Sequence, residues 1–169
     1  FAALPRRLDE DRPSSARPTI EPVANIADFD LSPRSFTTRC GGLFLFVPEL
    51  VRLEVDRLSR GLPGSKMIPS AHAFRSALSL KLWSVERKSH VMALVADKGI
   101  ALVSGLPAIP KKSFFSEYSS RIDHKMVTKF LAGWHTQVSG EDLFSENSFN
   151  LDFHSGPYYG GDPLVEKHY

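Results

Sequence analysis

The chain has 169 residues, 42% of them hydrophobic and 24% charged, with a formal net charge of +2. That composition suits one ordinary domain, with or without a long arm, and excludes wholesale disorder. No apolar run approaches the ~20 residues needed to cross a bilayer, and a single cysteine, Cys40, excludes an internal disulfide framework and points to a reducing compartment.

Charge is unevenly spread. Residues 1–33 hold four basic and six acidic groups, and residues 34–80 hold seven and three. Residues 81–133 hold nine and four, and residues 140–169 hold one and six. The two middle blocks together carry +9 and the last block −5. A basic middle and an acidic end describe a polyanion-binding body joined to a carboxylate-bearing segment, although a solvated surface of uneven charge reads the same way. The chain opens on Phe1 with no charged start leading into an apolar signal core, as if cut from something longer.

Residues 1–33 carry five of the twelve prolines: Pro5, Pro13, Pro18, Pro22 and Pro33. Proline removes backbone donors and pushes its predecessor out of the helical region, so a disordered or extended arm is expected. Leu43, Phe44, Leu45, Phe46 and Val47 then read as buried core. Residues 48–60 read as one helix. Pro48 suits the first helical position and Glu49 the first turn. Val51, Val55 and Leu58 form the apolar stripe, widened by Leu50 and Leu53, while Arg52, Asp56, Arg57 and Arg60 cover the other side. Gly61, Pro63 and Gly64 end it.

A second helix is expected from about Ser70, as N-cap, to Trp83, with an apolar stripe of Ala71, Phe74, Ala77, Leu78 and Leu82. Shorter helical pieces follow near 89–95 and 100–104, punctuated by Gly99 and Gly105. Ser113 is the expected N-cap of the next helix, which sets Phe115 and Ile122 on one side, flanked by Phe114, Tyr118 and Arg121. A last helix, about 123–138, carries the strongest stripe in the chain: Met126, Val127, Phe130, Leu131, Trp134 and Val138. Trp83 and Trp134 read as core. Residues 149–154 then alternate with period two, Phe149, Leu151 and Phe153 on one face and Asn150, Asp152 and His154 on the other, as in a strand. A lone strand is not stable as a sheet. It packs on the helices, or its sheet lies beyond Tyr169. The six histidines show no metal-ligand spacing and no cysteine cluster accompanies them, so zinc is not expected.

Asp152 on the polar face of an apolar-backed strand is the kind of carboxylate a hard divalent cation needs, and equally a solvent-facing residue of an edge strand. The run Asn150-Leu151-Asp152-Phe153-His154-Ser155, with Pro157-Tyr158-Tyr159-Gly160 and Glu166-Lys167-His168-Tyr169, resembles the start of the catalytic domain in DDE-type insertion-sequence transposases. The stretches Gly42–Leu50, Leu62–Pro69, Leu80–Trp83 and Ile109–Ser113 leading to Glu117-Tyr118-Ser119 are similar to the helical N-terminal region of the same family. The resemblance covers roughly residues 30–169. Gly156 and Gly161 depart from the family pattern, which has a larger apolar and an acidic residue there, and suggest a decayed or variant copy.

The resemblance implies a mainly α chain. A disordered arm (1–33) precedes a helical DNA-binding bundle (34–139), open to a helix-turn-helix, and the first strand of a truncated RNase H-like α/β domain (140–169). It implies Asp152 as first catalytic residue and metal ligand, binding Mg²⁺ or Mn²⁺ in the full-length parent together with two carboxylates beyond Tyr169, with no ion expected on this chain alone. Glu166 is too close to Asp152 to be one of them. It also implies DNA, the transposon terminal repeats, as partner, a homodimer in the full-length protein, no membrane, and a cytoplasmic, nucleoid-associated location. Lys111, Lys112 and Ser113 at a helix start suit phosphate, which is met there by free backbone N–H groups. Ser116, Ser119, Ser120 and Arg121 could face a groove, with Lys125 and Lys129 gripping the flanking backbone. A non-enzymatic helical DNA-binding regulator and a protein-interaction module are the alternatives.

Overall fold

The computed structural model describes residues 23–32 and 35–140. These residues are mainly helical, and no strand occurs among them. They form α1 (Val47–Arg52), α2 (Val55–Leu58), α3 (Ser70–Leu82), α4 (Lys98–Ser104), α5 (Lys112–Ser120) and α6 (His124–Ser139). Short 3-10 turns lie at Ile26–Asp28, Gly41–Phe46, Ser59–Gly61 and Lys88–Ala93. The strand expected at 149–154, with Asp152 and His154, lies outside the described residues.

The centre of the fold is α4. Its run Ile100-Ala101-Leu102-Val103 is apolar on every side, and every residue from Gly99 to Ser104 is buried. Asp97 starts the helix by accepting the N–H groups of Gly99 and Ile100 at 2.9 and 3.2 Å. Gly105 ends it at φ +70°, in the left-handed region that glycine enters without penalty. The most extensive contact of α4 is with α3.

The face that α3 buries most deeply is small and partly polar: Ala73, Ser76, Ser79 and Leu80, with Arg75. Small side chains let the two helix axes approach. The Ser76 hydroxyl donates to the His72 carbonyl at 2.8 Å, and the Ser104 hydroxyl to the Ile100 carbonyl at 2.7 Å. These buried hydroxyls therefore find acceptors within their own helices. The expected stripe of Ala71, Phe74, Ala77, Leu78 and Leu82 is only the half-buried flank. The helix also begins one residue earlier than expected. Pro69 is the N-cap, Ser70 is the first helical residue, and no side chain caps the end. At the other end Ser84 takes φ 55°, its N–H reaches the Lys81 carbonyl, and the Val85 N–H reaches the Leu80 carbonyl. This paired hydrogen-bond arrangement closes the helix with serine where glycine is usual. Trp83 sits at that end and is partly exposed rather than core.

Arg75 is fully buried. Its Nε lies 3.2 Å from Asp56 Oδ1. Its Nη2 donates to the carbonyls of Val23 and Ala24 at 3.1 and 3.3 Å, and its Nη1 approaches the Val103 carbonyl at 3.5 Å. Burial lowers the guanidinium from its ordinary value, and the Asp56 carboxylate offsets part of that. Asp56 in turn accepts the Ile26 N–H at 2.9 Å. One ion pair thus ties α2, α3 and α4 to the segment before the first long helix.

Two sequence expectations change around this pair. The helix expected over 48–60 breaks after Arg52. Glu54 adopts φ 48°, ψ 43°, and α2 restarts at Val55 before tightening into the 3-10 turn Ser59–Gly61. A left-handed non-glycine residue costs on the order of 1–2 kcal/mol. The ion pair on Asp56 and the burial of Val55 offset that cost. The expected arm also gives way over residues 23–32, where Ile26 is buried and Phe29 packs on the core. Backbone carbonyls supplied to Arg75 anchor this stretch, which the prolines on either side of it conceal. The apolar run at 43–47 is likewise only partly core. Leu43 and Val47 are buried, Leu45 is 82% exposed and Phe46 is exposed, because a helical turn aims every third or fourth residue inward and the rest outward.

Replacing Asp56 by Ala leaves the Arg75 charge buried without its partner. The expected loss is about 3 kcal/mol of unfolding free energy, read from urea denaturation, and Arg75→Met combined with Asp56→Ala should recover part of it. Gly105→Ala should destabilise by a similar ~2–4 kcal/mol. It forces a side chain into φ +70° and places Cβ 2.5 Å from Arg75 Nη2 and 2.6 Å from the Val23 carbonyl oxygen.

Candidate nucleic-acid interface

The two helices expected to meet DNA are α5 and α6. Pro110 biases Ile109 towards extended backbone, and both are buried. The chain emerges at Lys111, which takes φ −75°, ψ 168° and is the N-cap of α5. Ser113, the expected cap, instead sits in the first helical turn and is exposed. The start of α5 therefore has no side-chain cap and no acidic residue in its first turn. Lys111 and Lys112 beside it are exposed. Unpaired N–H groups, the positive end of the helix dipole and two mobile cations converge there.

The inner side of α5 is Phe115 and Tyr118, both buried. Burial pushes the Tyr118 hydroxyl up from its ordinary value, and Arg121 counters part of that. The outer side carries Ser116, Ser119 and Ser120, whose hydroxyls donate to the carbonyls of Lys112, Ser116 and Glu117 at 3.3, 3.0 and 2.8 Å. Arg121 lies 5.9 Å from the centre of the Phe114 ring. The serines and Arg121 are exposed, as a groove-facing role requires, but in this structure the serine hydroxyls donate to their own helix, Ser119 also accepts from Lys88 Nζ at 3.5 Å, and Arg121 lies against an aromatic ring.

Asp123 caps α6 by accepting the Met126 N–H at 2.8 Å. Along α6 the expected stripe splits. Phe130 packs on Phe74 with ring centres 5.0 Å apart and stacks on Trp134 at 6.3 Å, and Val138 is buried. Val127 and Leu131 face outward, Leu131 with 55% of its surface exposed. Lys125 and Lys129 are exposed one turn apart. Gln137 clamps the helix by accepting from Arg57 Nη2 at 3.0 Å and donating to the Arg52 carbonyl at 3.3 Å.

A helix-turn-helix requires its two helices to pack on each other. Here α5 is held mainly by the turn Lys88–Ala93, and α6 by α2 and the turn Ser59–Gly61. Lys111 and Lys112 thus belong to one anchored helix, Lys125 and Lys129 to another. The sequence reading also passed over Arg57 and Arg60, which line one cleft with Lys129. Both were assigned to the solvent side of a continuous helix, and no local pattern pairs them with a residue beyond three intervening helices.

A separate polar cluster holds the start of α4. Asp97 accepts from the Thr38 hydroxyl at 2.6 Å and from the Arg39 N–H at 2.7 Å, besides capping the helix. Burial opposes ionisation of this carboxylate. The hydrogen bonds from Thr38, Arg39, Ile100 and Gly99 together outweigh it and hold Asp97 below the usual carboxylate range. Gly99 fits because a Cβ there would lie 2.2 Å from Thr38 Oγ1. Cys40 lies alongside, fully buried; burial first, then the Asp97 charge and hydrogen bond, push its thiol up to about 11 despite Arg39. A buried thiol held there is a poor nucleophile at neutral pH.

Among the described residues no group of three or more His, Cys, Asp or Glu side chains gathers as a metal site, and no helix is long and apolar enough to cross a membrane. Asp152, the expected metal ligand, lies outside the described residues. No protein-family model, curated protein or solved structure matches the chain.

Because Asp97 binds its proton more weakly in the folded chain than in the unfolded one, whose carboxylate value is about 3.9, its contribution is complete above that value. It is lost as pH falls through the folded value. Wild type should therefore melt above Asp97→Asn at neutral pH, with the difference shrinking as pH falls below the ordinary carboxylate range. A thiol at about 11 supplies little thiolate at neutral pH. Ellman's reagent should leave Cys40 unlabelled in the native protein and label it once denaturant is added.

Proposed function

We propose that the described residues are the DNA-binding part of a DDE-type insertion-sequence transposase, gripping the phosphate backbone of the transposon terminal repeats. The observation that carries this reading is the start of α5: an uncapped, acid-free helix N-terminus flanked by exposed Lys111 and Lys112. Exposed Lys125 and Lys129 on α6 extend the cationic surface, and the +9 charge of residues 34–133 favours a polyanion. In this reading Asp152 supplies the first carboxylate of a Mg²⁺ or Mn²⁺ site, which in the full-length dimeric protein activates water for strand cleavage and a DNA 3′-hydroxyl for transfer. One carboxylate cannot hold two metal ions, so in this reading the site draws further carboxylates from the full-length protein. The cytoplasm, at the nucleoid, is the matching location.

The exposed pair Val127 and Leu131, one turn apart on α6, favours a second reading as a protein-interaction module. Fluorescence anisotropy on a short duplex separates the two. The DNA reading expects binding that weakens steeply with salt. Lys111→Ala with Lys112→Ala should weaken it roughly tenfold and lower the salt slope by about two. No affinity at low salt, or affinity indifferent to salt, sinks the DNA reading.

A further inference from the structure

We infer that the phosphate-binding surface does not end on α5 and α6 but continues into the cleft between α6 and the turn Ser59–Gly61, where Arg57, Arg60 and Lys129 together receive a backbone phosphate of duplex DNA. The inference rests on the DNA-binding reading. The three cations line one cleft of about 230 Å³ in which no carboxylate takes part. They come from segments on either side of α3, α4 and α5, so only the tertiary fold brings them together.

The cations are not equivalent. Arg57 is tied to Glu54 and to Gln137, which fixes its place at the cleft wall. Among the described residues no ion pair engages Arg60 or Lys129, and both are exposed at the rim. The floor between them is apolar, formed by residues such as Leu62, Met126 and Phe130. A phosphate seated over such a floor loses water and meets two uncompensated cations, and the attraction rises as the local dielectric falls. An arginine beside a lysine supplies both a planar fork and a mobile point charge for phosphate oxygens. Gly61 also lines the cleft, with open space where a side chain would project, and leaves room for the adjoining sugar.

The test is anisotropy of the full chain on a short duplex, comparing wild type, Arg60→Ala with Lys129→Ala, and Lys111→Ala with Lys112→Ala. Both cleft positions are exposed, and circular dichroism with a melting curve checks that the folds match. The cleft variant should bind roughly tenfold more weakly, with a salt slope lower by about two. Arg60→Lys with Lys129→Arg should restore most of the loss. A cleft variant that binds like wild type, beside a weakened Lys111/Lys112 variant, overturns the cleft and leaves the DNA reading standing. No binding by wild type overturns both. Pyrophosphate titrated without DNA should produce no saturable response. A saturable response lost in the cleft variant, with DNA binding unchanged, would assign the cleft to a free phosphorylated ligand and overturn the inference.

Discussion

The fold turns on a charge that cannot reach water. Arg75 brings a guanidinium into the contact between α3 and α4, and its nitrogens lie against one carboxylate and three backbone carbonyls. A buried cation of this kind tolerates little freedom in its surroundings, because each missing oxygen exposes a desolvated donor. Three otherwise independent features follow from supplying those oxygens. The chain before Phe29 must run beside α3 to offer the Val23 and Ala24 carbonyls. The helix after Pro48 must break so that α2 presents Asp56. The end of α4 must be a glycine, because Arg75 and the Val23 carbonyl fill the space where a side chain would project.

The same constraint positions the cationic surface. The break at Glu54 sets α2 and the turn Ser59–Gly61 against α6, with Gln137 bridging Arg57 and the Arg52 carbonyl. That contact brings Arg60 and Lys129 into the lining of one cleft. The first anchor, α5, is held separately on the turn Lys88–Ala93. Two independently braced helices, not one helix-turn-helix unit, therefore carry the lysines that the proposed DNA contact uses. Bracing matters for phosphate recognition, because cations held on rigid elements lose less conformational freedom on binding than cations on a mobile chain.

Much of the helical organisation was legible in local pattern. The extents of α3, α5 and α6 follow from apolar spacing and from Pro110 and Asp123, and the end of the short helix Lys98–Ser104 follows from Gly105. Cap residues were less legible. Ser70 and Ser113 have the right chemistry for N-caps, but the backbone was already extended one or two residues earlier, at Pro69 and Lys111. The depth of burial on α3 was also hidden. Spacing favours Phe74, Leu78 and Leu82, whereas close approach to α4 selects Ala73, Ser76 and Ser79. The nine expected DNA-contacting residues are all exposed, as polar surface residues generally are. Arg57 and Arg60 were hidden because their partner in the cleft is remote in sequence.

Periodicity, prolines, glycines and charge distribution by themselves determined that this stretch is helical, where most helices lie, and that its middle is basic. Each is a property of neighbouring residues, and short-range sterics and side-chain spacing read directly from the chain. Tertiary structure alone decided that Arg75 lies inside, that residues 23–32 belong to the fold, that Glu54 turns left-handed, and that Arg60 and Lys129 line one cleft. In each case the deciding energy is a contact between segments far apart in sequence, strong enough to override what the local pattern prefers.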